Sequence, residues 1–160
     1  MRVILLTGGQ SSRFGSDKSL AELSGNSLSN IIKSYFEADQ IIEVGSEIKG
    51  GPLAAVNSAL TKIDSDLVAI IATDMPFAPK VLPELQVALN GSTTSDCALP
   101  LDKQGVAQPL AGIYKTQSLI AAMEKLQSET ELFVRFILTI RRAVNKLQAQ
   151  MSLLYCTRSL

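Results

Sequence analysis

The sequence predicts an α/β fold built on a parallel sheet. Three observations carry this expectation: short, wholly apolar runs that stop at a glycine or at an acid-proline break, helix-spaced segments between those runs, and alternation of the two from Val3 to Asn90. Val3 to Leu6 reads as a strand buried on both faces, ended by Gly8-Gly9. A polar loop follows to about Gly25. Ser27 to Ala38 then places Leu28, Ile31, Ile32, Tyr35 and Phe36 at helical spacing, with Ser27 as the N-cap. Gln40 to Val44 is a second strand and Pro52 to Leu60 a second helix. Leu67 to Ala72 is a third strand, so apolar that it belongs at the centre of the sheet, and Asp74-Met75-Pro76 ends it. Pro79 starts a helix to about Asn90, with Pro83 disturbing its early part. Strands near Cys97 to Leu99 and at Pro109 to Tyr114 flank the turn Asp102-Lys103-Gln104-Gly105. Thr116 caps a helix through Leu126, and Glu131 to Gln150 reads as a long amphipathic helix with Leu132, Phe136, Ile140, Val144 and Leu147 inward. Strands alternating with helices in this way imply right-handed crossovers.

Composition narrows the function. A chain of 160 residues with 46% hydrophobic content fits one domain over 1–160 with a real core. Fifteen basic and fifteen acidic residues cancel, so no broad attraction to nucleic acid or to an anionic membrane is implied. Cys97 and Cys156 are far apart and form no CxxC, which suggests neither a disulfide framework nor a zinc site. The opening lacks the basic flank of a signal peptide, and no apolar run approaches the roughly 18 residues a membrane span needs. The expectation is a soluble cytoplasmic protein, monomeric or weakly self-associating. With no histidine, a triad with a histidine base is excluded and metal binding falls to oxygen ligands, which leaves hard cations such as magnesium.

Chemistry should gather at the carboxyl ends of the strands, near the point where strand order reverses. After the first strand stand Thr7, Gly8, Gly9, Gln10, Ser11, Ser12, Arg13, Gly15 and Lys18. Glycines let the backbone approach a ligand closely, and successive amides can then face phosphate oxygens or a base edge. Arg13 offers a planar fork and Lys18 a point charge, both suited to a polyphosphate. The stretch GGQSSRFGSDK is neither a GxxxxGK[ST] phosphate loop nor a GxGxxG fingerprint. After the third strand, Asp74 is placed to hold a magnesium ion that bridges phosphates. Taken singly, the glycines are an ordinary tight turn, the two cations a solvated loop, and Asp74 the cap of the turn into Pro76. Together, those ordinary readings require three independent coincidences on the rim of one sheet, and a phosphate-binding site is the expectation.

Four stretches, in order, resemble one family. TGGQSSRFGSDKSL is similar to aGGxSxRmGxDKal, GPLAAV to GPLaGi, ATDMPF to xcDmPf, and QPLAGIY to qPLxAlY. These are patterns of the molybdenum cofactor guanylyltransferases and their MobA-like nucleotidyltransferase relatives, and the resemblance runs from about Arg2 to Leu126. The related cytidylyltransferases usually place the motif lysine farther from the arginine, after a proline. The step from Arg13 to Lys18, with Asp17 before the lysine, is closer to the molybdopterin branch.

The resemblance implies a Rossmann-like three-layer α/β/α sandwich with a mostly parallel sheet, of the nucleotide-diphospho-sugar transferase type. It implies magnesium-dependent transfer of GMP from GTP to the terminal phosphate of molybdopterin, with release of pyrophosphate. By motif, Leu6, Thr7, Gly8 and Gly9 would approach the guanine and ribose, Arg13 and Lys18 would hold the triphosphate, and Asp74 would ligate Mg2+. Gly51 and Pro52 would open a helix at the nucleotide cleft, and Gln108 and Pro109 would stand on the acceptor side. The attacking group is already a phosphate anion, so positioning and charge neutralisation can carry the reaction without a protein base. The chain departs from the pattern between about residues 40 and 50, where it is shortened and where Glu47 is the available acid; GPLAA replaces GPLAG, with Ala55 at the changed position. Three readings stay open. One is molybdopterin guanine dinucleotide synthesis, the second is transfer of CMP or GMP from CTP or GTP to another small phosphorylated acceptor, and the third is a non-catalytic nucleotide-binding relative.

Overall fold

The computed structural model describes residues 1–7, 22–23, 25–45, 47–48 and 50–127. Arg2–Leu6 (β1) has aliphatic residues at every position after the first, so it can be stable only when both faces are covered. Glu22–Leu23 (β2) and Asn26–Ser27 (β3) form a small antiparallel ladder that reverses around Gly25, whose φ of +79° suits glycine. Leu28–Lys33 (α1) follows, then Ile41–Val44 (β4), Gly51–Leu60 (α2) and Leu67–Ala72 (β5). Leu82–Asn90 (α3), Cys97–Ala98 (β6), Ala111–Lys115 (β7) and Thr116–Gln127 (α4) complete the described elements.

The main sheet has the order β4-β1-β5-β7-β6. Strand β1 pairs in parallel with β4 on one side (Leu6 opposite Val44) and with β5 on the other (Leu6 opposite Ala72). Strand β5 is thus the central one, as its composition predicted. Strand β7 runs antiparallel to both β5 and β6, so the sheet is mostly rather than wholly parallel.

Alternation along the strands divides the core between two faces. Ile4, Leu6, Val68 and Ile70 meet Val56, Leu60, Leu119 and Met123 of α2 and α4. Val3, Leu5, Ala69 and Ile71 meet Ile32, Leu82, Leu85 and Leu89 of α1 and α3. A three-layer α/β/α arrangement results. Each fully buried Leu or Ile side chain contributes about 1.5–3 kcal/mol, which is why the layers form around these positions. Among the described residues, no helix is long and apolar enough to cross a membrane.

Several elements differ from the sequence expectation. Ser27 does cap α1, its Oγ accepting from the Asn30 N–H at 3.2 Å, but the helix stops at Lys33 instead of Ala38. Ser34 donates its hydroxyl back to the Ile31 carbonyl at 2.7 Å, and Glu37 and Gln40 form a capping box around a 3-10 turn at Ala38–Gln40, a local alternative to further helix. Tyr35 is therefore 45% exposed instead of inward. The helix expected from Pro79 begins as a 3-10 turn over Ala78–Val81, because Pro83 has no N–H to return to Pro79; the Leu82 N–H takes that carbonyl instead. Thr116 is the first residue of α4, and its hydroxyl donates to the Ser65 carbonyl at 2.6 Å, which ties the helix to the loop before β5. The expected helix Glu131 to Gln150 and Cys156 lie outside the described residues.

Candidate active site

The chain leaves β1 toward β4 and returns through α2 to β5 on the opposite side, so strand order reverses at the carboxyl end of β1. Backbone and hydroxyl groups fasten the strand ends at this point. Thr7 donates its N–H and Oγ1 to the Val44 carbonyl at 2.9 and 3.3 Å, and Thr73 donates the same two groups to the Leu6 carbonyl at 3.1 and 3.2 Å. The three parallel strand ends are thereby stitched together, with Thr73 buried between β1 and β5.

Asp74 is next. A turn closed by the Met75 N–H on the Ala72 carbonyl, at 3.0 Å, puts Thr73 and Asp74 at its corner and leaves the Asp74 side chain exposed. Among the described residues, no hydrogen bond or ion pair engages this carboxylate. Among the described residues it is an unpartnered carboxylate at the reversal point. No group of three or more Asp, Glu, Cys or His side chains gathers among the described residues.

On the β4 side, α2 starts from Gly50 and Gly51, with φ of +114° and +80°. Pro52 occupies the first turn, where its missing N–H costs nothing. Gly51 and Pro52 are both exposed, and no acidic residue stands in that turn. Between β4 and α2, Glu47 folds back so that Oε1 accepts from the Gly45 N–H at 2.8 Å. The Gly45 N–H, and then Glu47's own, hold the carboxyl below its ordinary range. A methyl group on Gly45 would lie 2.5 Å from Glu47 Oε2 and 3.3 Å from Thr7 Oγ1, so carboxylate and hydroxyl converge over this glycine.

On the far side of Asp74, antiparallel β7 brings its amino end to the carboxyl end of β5: Ala72 N–H donates to the Leu110 carbonyl at 2.9 Å. Gln108 and Pro109 therefore stand on the same rim. The Pro109 carbonyl accepts from the Tyr114 hydroxyl at 2.6 Å, a buried prop from within β7. The Gln108 side chain is held by Asp102, whose Oδ2 accepts from Nε2 at 2.9 Å.

Residues 33–149 match the model of the MobA-like NTP transferase domain. The chain belongs to the MobA-like NTP transferase family. It is 28% identical over 158 residues to a protein of Pelotomaculum thermopropionicum named "Probable molybdenum cofactor guanylyltransferase", covering 86% of this chain and 75% of that one. A Bacillus cereus protein of the same name is 30% identical over 159 residues, covering 84% of this chain and 78% of the relative. Two solved structures share the fold. Molybdopterin-guanine dinucleotide biosynthesis protein A from Archaeoglobus fulgidus superposes with a TM-score of 0.62 at 20% identity, over 98% of this chain and 93% of that one. The bifunctional IspDF from Campylobacter jejuni gives 0.61 at 22% identity, over 81% of this chain and 44% of that one. This MobA-like chain is a nucleotidyltransferase.

Within this MobA-like transferase, the described rim brings together Leu6, Thr7, Asp74, Gly51, Pro52, Gln108 and Pro109 at one edge of the sheet. Gly8, Gly9, Arg13 and Lys18 lie outside the described residues. Sequence reading did not single out Thr73, Tyr114 or the side chain of Asp102. Thr73 follows the central strand directly and could have been found by the same strand-end rule that found Asp74. The other two act through partners five or six residues away across a turn, and no spacing rule marks them.

Proposed function

We propose that the chain transfers GMP from GTP to molybdopterin in a magnesium-dependent reaction, as one domain over 1–160. The observation that supports this reading is the convergence at the reversal point of Thr7, the Asp74 carboxylate, unpaired among the described residues, and the Gln108-Pro109 turn, with the start of α2 on the same rim. The relatives' names supply the substrates. A phosphate oxygen of molybdopterin attacks the α-phosphorus of GTP, the bond from that phosphorus to the β-phosphate bridge oxygen breaks, and pyrophosphate leaves. Leu6, Thr7, Gly8 and Gly9 line the nucleoside. Arg13 and Lys18 hold the triphosphate and offset charge on the departing pyrophosphate, and Gly51 and Pro52 present the amino end of α2 to the nucleotide. Asp74 would hold Mg2+, which lowers the repulsion between two phosphate-bearing substrates. Gln108 and Pro109 face the acceptor. The reading involves neither nucleic acid nor membrane, and the reaction is proposed to run in the cytoplasm.

Pyrophosphate release from GTP or CTP with molybdopterin and Mg2+ tests it. GTP is expected to support turnover better than CTP, and at about 100 times its dissociation constant to stabilise the fold by roughly 2.7 kcal/mol. Lys18→Ala is expected to cut turnover by about 100-fold or more with little change in melting temperature, and Asp74→Asn to lose the Mg2+-dependent turnover with the fold retained, unchanged turnover at saturating Mg2+ refuting the ligand role. A wild-type chain that neither turns over nor is stabilised by either nucleotide would refute the proposal.

A further inference from the structure

The turn that carries Gln108 is closed by backbone bonds, Asp102 N–H to the Val106 carbonyl and Gly105 N–H to the Asp102 carbonyl, both at 2.9 Å, and by the Asp102 carboxylate. Asp102 Oδ1 accepts from the backbone N–H of Gln104 at 2.9 Å and of Val106 at 2.8 Å, while Oδ2 accepts from Gln108 Nε2 at 2.9 Å. Gln108 Nε2 also donates to the Val106 carbonyl at 3.3 Å. Both partners of that nitrogen, a carboxylate and a carbonyl, can only accept. The amide therefore has one chemically permitted orientation, with its NH2 on Asp102 and Val106. Its two N–H groups are committed, and among the described residues no donor meets Oε1. The backbone is fixed as well, through Gln108 N–H to the Pro100 carbonyl at 2.9 Å and Ala111 N–H to the Gln108 carbonyl at 3.1 Å. A carbonyl oxygen held in one orientation, and unpaired among the described residues, thus stands on the rim that also carries Asp74.

We propose that Asp102 is a positioning residue for the second substrate. By locking the Gln108 amide it makes this residue a pure hydrogen-bond acceptor, which selects an acceptor molecule bringing an N–H group to the rim, as the amino and ring N–H groups of a pterin do. The inference rests on the acceptor-side reading of Gln108 given above. Asp102 itself need not touch the substrate.

Asp102→Asn separates this role from simple turn-making. The asparagine oxygen can keep the Gln104 and Val106 N–H bonds, but its NH2 cannot accept from Gln108, so the Gln108 amide turns over and offers N–H where it offered oxygen. KM for molybdopterin is expected to rise about 10-fold, with KM for GTP changed less than about 2-fold. Against a Gln108→Ala background, the same substitution is expected to leave KM for molybdopterin where Gln108→Ala already put it. The side-chain NH2 resonances of Gln108, assigned by their loss in Gln108→Ala, report the lock without turnover and are expected to shift in Asp102→Asn. Equal effects of Asp102→Asn in the two backgrounds, unchanged KM for molybdopterin, or unmoved Gln108 resonances would each overturn the assignment of Asp102 while leaving the transferase reading intact. A wild-type chain inactive with GTP, CTP and molybdopterin removes the substrate role of Gln108 instead, and the resonances then decide the lock alone.

Discussion

At the scale of single residues, Cys97 and Tyr114 form a buried pair whose ionisation the fold opposes. Burial first, and then the Asp96 charge, push the Cys97 thiol from its ordinary 9.0 up to about 11. Burial and then Cys97 raise the Tyr114 hydroxyl well above its ordinary value. Both groups are neutral in the folded chain. An acid whose pKa is raised on folding contributes stability that is complete below its unfolded pKa and is lost as pH climbs through the folded one. The urea midpoint is therefore expected to hold level up to about pH 9 and to fall between 9 and 11. Removing the thiol by Cys97→Ala should shallow that fall. A midpoint equally level at pH 8 and pH 11 would contradict the assignment. Tyr114 also supports the Pro109 carbonyl, so alkaline loss in the core reaches the rim directly.

At the scale of elements, β7 packs closely against its neighbour at Gly112. A Cβ on Gly112 would collide with Leu99 Cδ2 and come to 3.0 Å from the Ala98 carbonyl oxygen. Gly112→Ala is expected to destabilise by about 1–3 kcal/mol through overpacking, read as a lower urea midpoint with an unchanged slope. The sequence made β5 legible to the residue, because Leu67–Ala72 is bounded by polar residues and is apolar on both faces. It left the direction of β7 hidden. A strand buried on both faces looks alike in either direction, and only pairing with β5 and β6 settles it. The shortening of α1 was hidden for another reason: the apolar spacing continues to Phe36, while hydroxyl and capping-box bonds decide where the helix stops.

At the scale of the molecule, two cores flank one sheet, and stability should follow burial rather than residue type. Leu85, fully buried under α3, is expected to cost about 2–5 kcal/mol when replaced by alanine, whereas Val87 on the same helix, 74% exposed, should change stability by no more than about 0.5 kcal/mol. Comparable losses at both positions in urea titrations would contradict the layer assignment. Of the candidate site, the positions of Thr7 and Asp74 were legible because they follow apolar strands, and that of Gln108-Pro109 only through the resemblance of QPLAGIY to a family motif, whereas the hold of Asp102 on Gln108 was not, being a contact across a turn. The rim is built in two different ways. One wall hangs from parallel strands, whose connections must each cross a whole layer. The other is the tip of an antiparallel ribbon, with register fixed deep in the sheet where Cys97 faces Tyr114 and closed again at Leu101 and Ala107. A ribbon tip can gain, lose or exchange residues without disturbing any strand, so descendants of this chain could remodel that wall while inheriting the one built from parallel strands untouched.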